Sequence, residues 1–176
     1  MIWESCYWKE PLIKSANYLR RVRPTERTTE RTYVRIEKEV LMGFYSVRKL
    51  LDTYKVSDKC KQQKFDLTWH KNIKKVTYMN WHHIDELYDL NKSNCESRDI
   101  RYICDKFIHS YIFLPVEGES GLDGFFVTSD RLKNDKCYFV SIDNVVSIFR
   151  SVGRDYPSNF QQKVNPESGE IESSAW

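Results

Sequence analysis

Residues 98–113 read RDIRYICDKFIHSYIF, and this stretch decides the fold that the sequence predicts. At about 100° per residue, its apolar side chains fall on one broad side of a helix. They are Ile100, Ile103, Cys104, Phe107, Ile108 and Tyr111. Along one edge of that side lies a polar stripe formed by Arg98, Arg101, Asp105 and His109. The pattern predicts a helix from residue 98 to about residue 113, which ends before Pro115.

The polar stripe combines side chains that suit the cleavage of RNA. Histidine titrates near neutral pH, so His109 would move a proton to or from the ribose 2′-hydroxyl or the leaving oxygen. The planar fork of Arg101 would hold the phosphate, and Asp105 would orient the imidazole or hold Arg101. This chemistry requires no metal and no cofactor. The alternative is a stability helix in which Asp105 forms ordinary i,i+4 pairs with Arg101 and His109.

The segment RYICDKFIHS resembles the Arg…polar…His signature on the last core helix of HEPN (higher eukaryotes and prokaryotes nucleotide-binding) proteins. The resemblance implies a bundle of four or five helices, commonly a homodimer. Many members are metal-independent endoribonucleases in toxin–antitoxin or antiphage systems. Arg101 and His109 would match the catalytic pair, with Asp105 as the polar residue between them. The spacing from Arg101 to His109 is longer than is usual in the family.

The rest of the chain is interpreted around this helix. Periodic apolar residues predict a helix over about 10–21 and a long one over 25–56, in which Gly43 marks a close helix crossing. Residues 57–75 are polar and basic and are predicted as a loop or a broken helix, and 76–81 as a short strand. β-rich runs at 124–129 and 137–142 predict a hairpin, followed by a helix that begins at Asp143.

These elements predict an α+β protein that is mainly α: a HEPN-like helical bundle with a C-terminal β-hairpin and short helix. The predicted division is a helical domain over 1–116, a hairpin-plus-helix appendage over 117–156 and a tail over 157–176.

Composition bounds the class of protein. The 176 residues are 40% hydrophobic and 14% aromatic, which excludes a mainly disordered chain. No apolar run approaches the ~18 residues of a membrane span, and the start has no signal-peptide pattern. The five cysteines form no C-x-x-C pair, which favours reduced thiols in a cytoplasmic protein. No membrane partner is expected.

Charge is unevenly distributed along the chain. Residues 1–75 hold 18 Lys and Arg against 9 Asp and Glu, whereas the whole chain has a net charge of +3. A basic surface suits a phosphate-bearing partner such as RNA, although a solvated helical face explains the same charges. The candidate RNA-binding residues are Arg98, Trp69, Lys71, Lys74 and Lys75. For Trp69 and the lysines, core packing and solubility are the alternatives.

The residues around His82 allow two interpretations. His82 and Glu86, four residues apart, have the spacing of metal ligands, but a helix start with acidic residues in its first turn explains the same residues.

The leading functional prediction is a metal-independent endoribonuclease of HEPN type. The alternative is a non-catalytic protein- or RNA-binding component of a bacterial defence or toxin–antitoxin system, with an antitoxin or a defence complex as its partner.

Overall fold

A computed structural model describes residues 2–25, 27–119, 121–164 and 171–176. Its helices are α1 (Cys6–Arg21), α2 (Glu30–Leu51), α3 (Asp58–Lys61), α4 (Ile84–Leu87), α5 (Ile100–Ile108) and α6 (Ile142–Arg154). Its strands are β1 (Lys64–Lys71), β2 (Asn94–Asp99), β3 (Ser110–Gly118), β4 (Gly121–Ser129), β5 (Lys136–Ser141), β6 (Phe160–Val164) and β7 (Ile171–Ala175).

The centre of the fold is a five-stranded antiparallel sheet with the strand order β2-β1-β5-β4-β3. The prediction of a mainly α, HEPN-like helical bundle is therefore wrong. The predicted hairpin at 124–129 and 137–142 is present as β4 and β5, but these strands lie inside the sheet rather than in an appendage. Strands from residues 64–99 and from residues 110–141 build one sheet.

The sheet was missed because its first strands carry few apolar residues. β1 reads KFDLTWHK, in which Phe65, Leu67 and Trp69 alternate with polar side chains, as a half-buried strand does. Its polar face makes the segment look like a loop when composition alone is considered. The predicted strand at 76–81 is wrong as well, because these residues form turns beside the sheet.

One face of the sheet is covered by α1, α2, α5 and α6, which enclose the main core. The apolar side predicted for α5 is confirmed, because Ile100, Ile103, Cys104 and Phe107 are all buried. Phe107 stacks on Phe44 of α2 with ring centroids 4.0 Å apart. The opposite face of the sheet is covered by residues 72–93, which enclose a smaller core around Tyr88.

The helix predicted over 98–113 is shorter than expected. α5 covers only residues 100–108, because Arg98 belongs to β2 and residues from Ser110 onward pair with β4 as strand β3. Ile112, Phe113, Leu114 and Val116 are equally compatible with a strand, and the hairpin with β4 decides between the two structures.

The predicted tail over 157–176 contains structure. β6 and β7 pair in an antiparallel hairpin, and the backbone N–H of Ala175 donates to Asp58 at 3.1 Å. Positions 165–170 of that range lie outside the described residues. Throughout the described part of the chain, none of the helices combines the length and the apolar character that crossing a membrane requires.

Candidate nucleic-acid interface

Helix α5 lies at the centre of the candidate site, and hydrogen bonds fix both of its ends. Asp99 caps its N-terminus by accepting a hydrogen bond from the backbone N–H of Tyr102 at 2.7 Å. At the other end the backbone N–H of His109 donates to the carbonyl of Asp105. With its apolar side buried, the helix leaves Arg101, Tyr102, Asp105 and Lys106 on the outer side.

Arg101 and Asp105 are both engaged with helix α2. Arg101 forms an ion pair with Asp52 at 2.8 Å, and Arg48 bridges Asp52 at 2.5 Å and Asp105 at 3.2 Å. Burial alone would raise the pKa of Asp52. The hydrogen bonds from Arg48 and Arg101 have the larger effect in the opposite direction, so the pKa is lowered overall. This ladder of ion pairs joins the end of α2 to α5. The i,i+4 pair predicted between Arg101 and Asp105 is replaced by contacts between helices.

His109 is exposed and stands at the C-cap of α5. Within the described residues its side chain has no hydrogen-bond or ion-pair partner. Eight positions of helix place His109 about 12 Å along the axis from Arg101. The imidazole and the guanidinium of the predicted catalytic pair are therefore two turns apart, and the guanidinium is already bound to a carboxylate.

A second group of side chains surrounds Glu96 on β2. Arg98 donates to this carboxylate through Nε at 3.0 Å and through Nη2 at 3.1 Å, and Lys136 Nζ lies 3.1 Å from it. The hydroxyl of Tyr138 donates to the same carboxylate and lies 2.6 Å from the hydroxyl of Tyr102. Burial raises the pKa of Glu96, but these hydrogen bonds outweigh it and lower the pKa to about 2.

The geometry of the sheet brings this group together. Leu67 faces Glu96 and Phe65 faces Arg98 across β1 and β2, while Trp69 faces Tyr138 across β1 and β5. Residues that face each other, and alternate residues along a strand, share one side of the sheet. The same rule places Lys71, opposite Lys136, on this side. We call the surface formed by Trp69, Lys71, Glu96, Arg98, Tyr102, Lys106 and Lys136 the α5–β1 surface.

Cations lie over the aromatic rings of the α5–β1 surface. The Arg98 guanidinium is 4.5 Å and Lys106 Nζ is 4.4 Å from the centroid of the Tyr102 ring. Lys136 Nζ is 4.8 Å from the centroid of the Trp69 ring. These cation–π contacts hold the positive groups in fixed positions, and they cover ring faces that a base would need for stacking.

The positive charge of this surface exceeds what its carboxylates neutralise. Burial lowers the pKa of Lys106, and the negative charge of Asp105 opposes this change. The nearby positive charges of Arg98, Lys136 and Arg131 lower the pKa of Lys106 further. Lys71, beside Lys136 in the sheet, is exposed. Glu96 already accepts bonds from Arg98, Lys136 and Tyr138, so Lys71 and Lys106 have no carboxylate hydrogen bond within the described chain.

The structure separates the sequence-predicted RNA contacts into two groups. Trp69, Lys71 and Arg98 lie together on the α5–β1 surface. Lys74 and Lys75 belong to the segment that covers the opposite face of the sheet, where Lys74 pairs with Glu86 at 2.8 Å. Glu86 lies on α4, whereas His82 lies in the turn before that helix begins. Across the described ranges, no group of three or more His, Cys, Asp or Glu side chains has the arrangement of a metal site.

Sequence reasoning missed Lys106, Lys136, Tyr102 and the organising carboxylate Glu96. The signal for Glu96 is its alternation with Arg98 along β2, whereas Tyr102 and Lys106 lie on α5 and Lys136 lies on β5. That signal is recognisable only when β2 is known to be a strand.

A comparison of the chain with protein-family models, with curated proteins and with solved structures finds no match.

Proposed function

We propose that this protein binds single-stranded RNA, without cleaving it, through the α5–β1 surface. The observation that carries the proposal is an excess of positive charge: Arg98 and Lys136 share the single carboxylate of Glu96, while the neighbouring Lys71 and Lys106 have no carboxylate hydrogen bond in the described chain. Spaced cations of this kind neutralise successive phosphates and release counterions, which drives nucleic-acid binding. The half-buried rings of Trp69 and Tyr102 hold Arg98, Lys106 and Lys136 in position through cation–π contacts.

Binding is favoured over cleavage by the state of the predicted catalytic pair. A general acid and a phosphate-binding guanidinium must reach the same phosphodiester. Arg101 is held by Asp52, and His109 lies about two turns farther along α5. The HEPN-type ribonuclease, the homodimer and the antitoxin or defence-complex partner stay predictions.

The test compares two double variants with the same loss of charge. Fluorescence anisotropy would measure the affinity of a labelled single-stranded RNA for the wild type, for Lys71→Gln/Lys106→Gln and for the control Lys14→Gln/Lys75→Gln. All four lysines are at least partly exposed, and the control pair lies outside the α5–β1 surface. We expect the first variant to bind several-fold more weakly and to lower the magnitude of the slope of log K against log salt by about 1–2. The control should keep the slope of the wild type.

Two results would contradict the binding proposal. Equal weakening in both variants would show that net charge alone attracts the RNA, which would contradict the proposal. The same RNA, analysed on a denaturing gel after incubation, should remain intact. Cleavage that His109→Ala abolishes and that Lys75→Gln leaves unchanged would replace the binding proposal with the ribonuclease prediction.

A further inference from the structure

A groove of about 560 Å³ lies between α1, α3 and α6, at the end of the sheet where β1 begins and β5 ends. The α5–β1 surface uses the other ends of these strands, so the groove is a separate feature. Its charged lining consists of four cations, Arg20, Lys59, Arg150 and Arg154, and of the carboxylates Asp143 and Asp155.

Both carboxylates of the groove are already engaged. Asp143 forms an ion pair with Arg20 at 2.7 Å. Asp155 accepts a hydrogen bond from the backbone N–H of Ser57 at 2.5 Å and another from its hydroxyl at 2.9 Å. Throughout the described ranges, Lys59, Arg150 and Arg154 therefore have no carboxylate partner.

The guanidinium of Arg150 is only partly satisfied by hydrogen bonds. Its Nη2 donates to the side-chain oxygen of Asn17 at 3.1 Å, which is a neutral partner. Its Nε is buried and has no hydrogen-bond acceptor. The unsatisfied Nε costs free energy. The residue as a whole is half-buried and lines the groove, so the rest of its guanidinium can reach an anion there without competing with a carboxylate.

The neutral part of the lining indicates the kind of anion. Ser147 and Ser151 are one turn apart on α6, on the helix side that also carries Arg154, and Gln63 lies across the groove. These side chains suit the hydroxyl groups of a sugar. The described residues that line the groove include no aromatic ring, which disfavours a nucleobase that needs stacking.

We propose that the groove binds a small hydrophilic phosphate ester of the sugar-phosphate class. The phosphate lies among Lys59, Arg150 and Arg154, and the sugar hydroxyls contact Ser147 and Ser151. The volume of the groove is in the range typical of small-molecule sites. This ligand is distinct from RNA, and the proposal does not rest on the RNA-binding proposal.

Isothermal titration calorimetry of the full chain tests this site with ribose 5-phosphate, inorganic phosphate and ribose. We expect saturable binding of one ribose 5-phosphate per chain, weaker binding of inorganic phosphate and no binding of ribose. Lys59→Gln/Arg154→Gln, at two exposed positions, should weaken ribose 5-phosphate at least tenfold. Ser147→Ala should weaken ribose 5-phosphate and leave inorganic phosphate unchanged.

The control variant is Lys14→Gln, which changes an exposed cation of α1 outside the groove and should bind ribose 5-phosphate as the wild type does. Lys71→Gln/Lys106→Gln should also bind it normally, which separates this proposal from the RNA-binding one. No saturable binding, equal affinity for inorganic phosphate, or equal weakening by Lys14→Gln would overturn the proposal. Thermal unfolding of each variant confirms that the fold is retained.

Discussion

At the scale of single residues, Glu96 organises the candidate interface. One carboxylate accepts hydrogen bonds from Arg98, Lys136 and Tyr138, and its side chain is 20% exposed. Fixing three donors around one acceptor keeps the cations of Arg98 and Lys136 at the surface in defined positions. The same arrangement makes the stability of the fold depend on pH.

Glu96→Gln should destabilise the protein near neutral pH and much less in acid. The folded pKa of Glu96 is about 2, below its ordinary value of 4.5, so the charged carboxylate stabilises the fold fully above pH 4.5. That stabilisation is lost as pH falls towards 2. We expect the variant to lose on the order of 1–3 kcal/mol of unfolding free energy at pH 6.5 and less at pH 3.5.

Urea denaturation followed by circular dichroism at the two pH values measures this difference. Glu37→Gln is the matched control, because Glu37 is an exposed carboxylate on α2. The control should stay within about 0.5 kcal/mol of the wild type at both pH values. An unfolding free energy of Glu96→Gln equal to that of the wild type at pH 6.5 would contradict the role of the carboxylate.

At the scale of elements, Gly43 determines how the Phe149 ring of α6 packs on α2. A Cβ added at Gly43 would lie 2.2 Å from Cζ of Phe149, and the Phe149 ring packs on Phe44 with centroids 5.1 Å apart. Phe149 is fully buried, so a shift of its ring would disturb the packing around it. Gly43 therefore lies where α6 packs against α2, and its missing side chain leaves the space that the Phe149 ring fills.

Gly43→Ala should therefore destabilise the fold although alanine is the better helix former. The gain in helix propensity is about 1 kcal/mol, and the overpacking against Phe149 is expected to exceed it, giving a net loss of about 1–2 kcal/mol. A lowered thermal midpoint, measured by circular dichroism, is the expected result. Lys38→Ala, on the exposed side of α2, should leave the midpoint nearly unchanged. A raised midpoint in Gly43→Ala would show that α6 yields at this contact.

Elements differed in how well the sequence predicted them. The helix at α2 and the buried side of α5 followed from strong 3.6-residue periodicity. β1 and β2 were missed, because an edge strand such as NCESRD has no apolar residue beyond Cys95 and is stabilised by its pairing with β1. Residues 110–113 continue a helical pattern and yet form a strand, because β4 supplies a hydrogen-bonding partner from farther along the chain.

At the scale of the whole molecule, the sheet decides which charges become neighbours. Trp69, Lys71 and Arg98 were recognised from residue type, but Lys106 and Lys136 join them only through the pairing of β1 with β5 and the packing of α5. Contacts between residues more than 30 positions apart cannot be read from local periodicity. Conversely, Lys74 and Lys75, which are close to Lys71 in sequence, lie in the segment over the opposite face of the sheet.

Lysine footprinting tests the central claim about this surface most directly. The protein would be acetylated with and without a saturating single-stranded RNA, and mass spectrometry would measure the reactivity of each lysine. We predict that RNA protects Lys71 and Lys106, while Lys14, Lys59 and Lys75 react equally in both samples. Protection of Lys59 or Lys75 without protection of Lys71 and Lys106 would contradict the assignment of RNA binding to the α5–β1 surface.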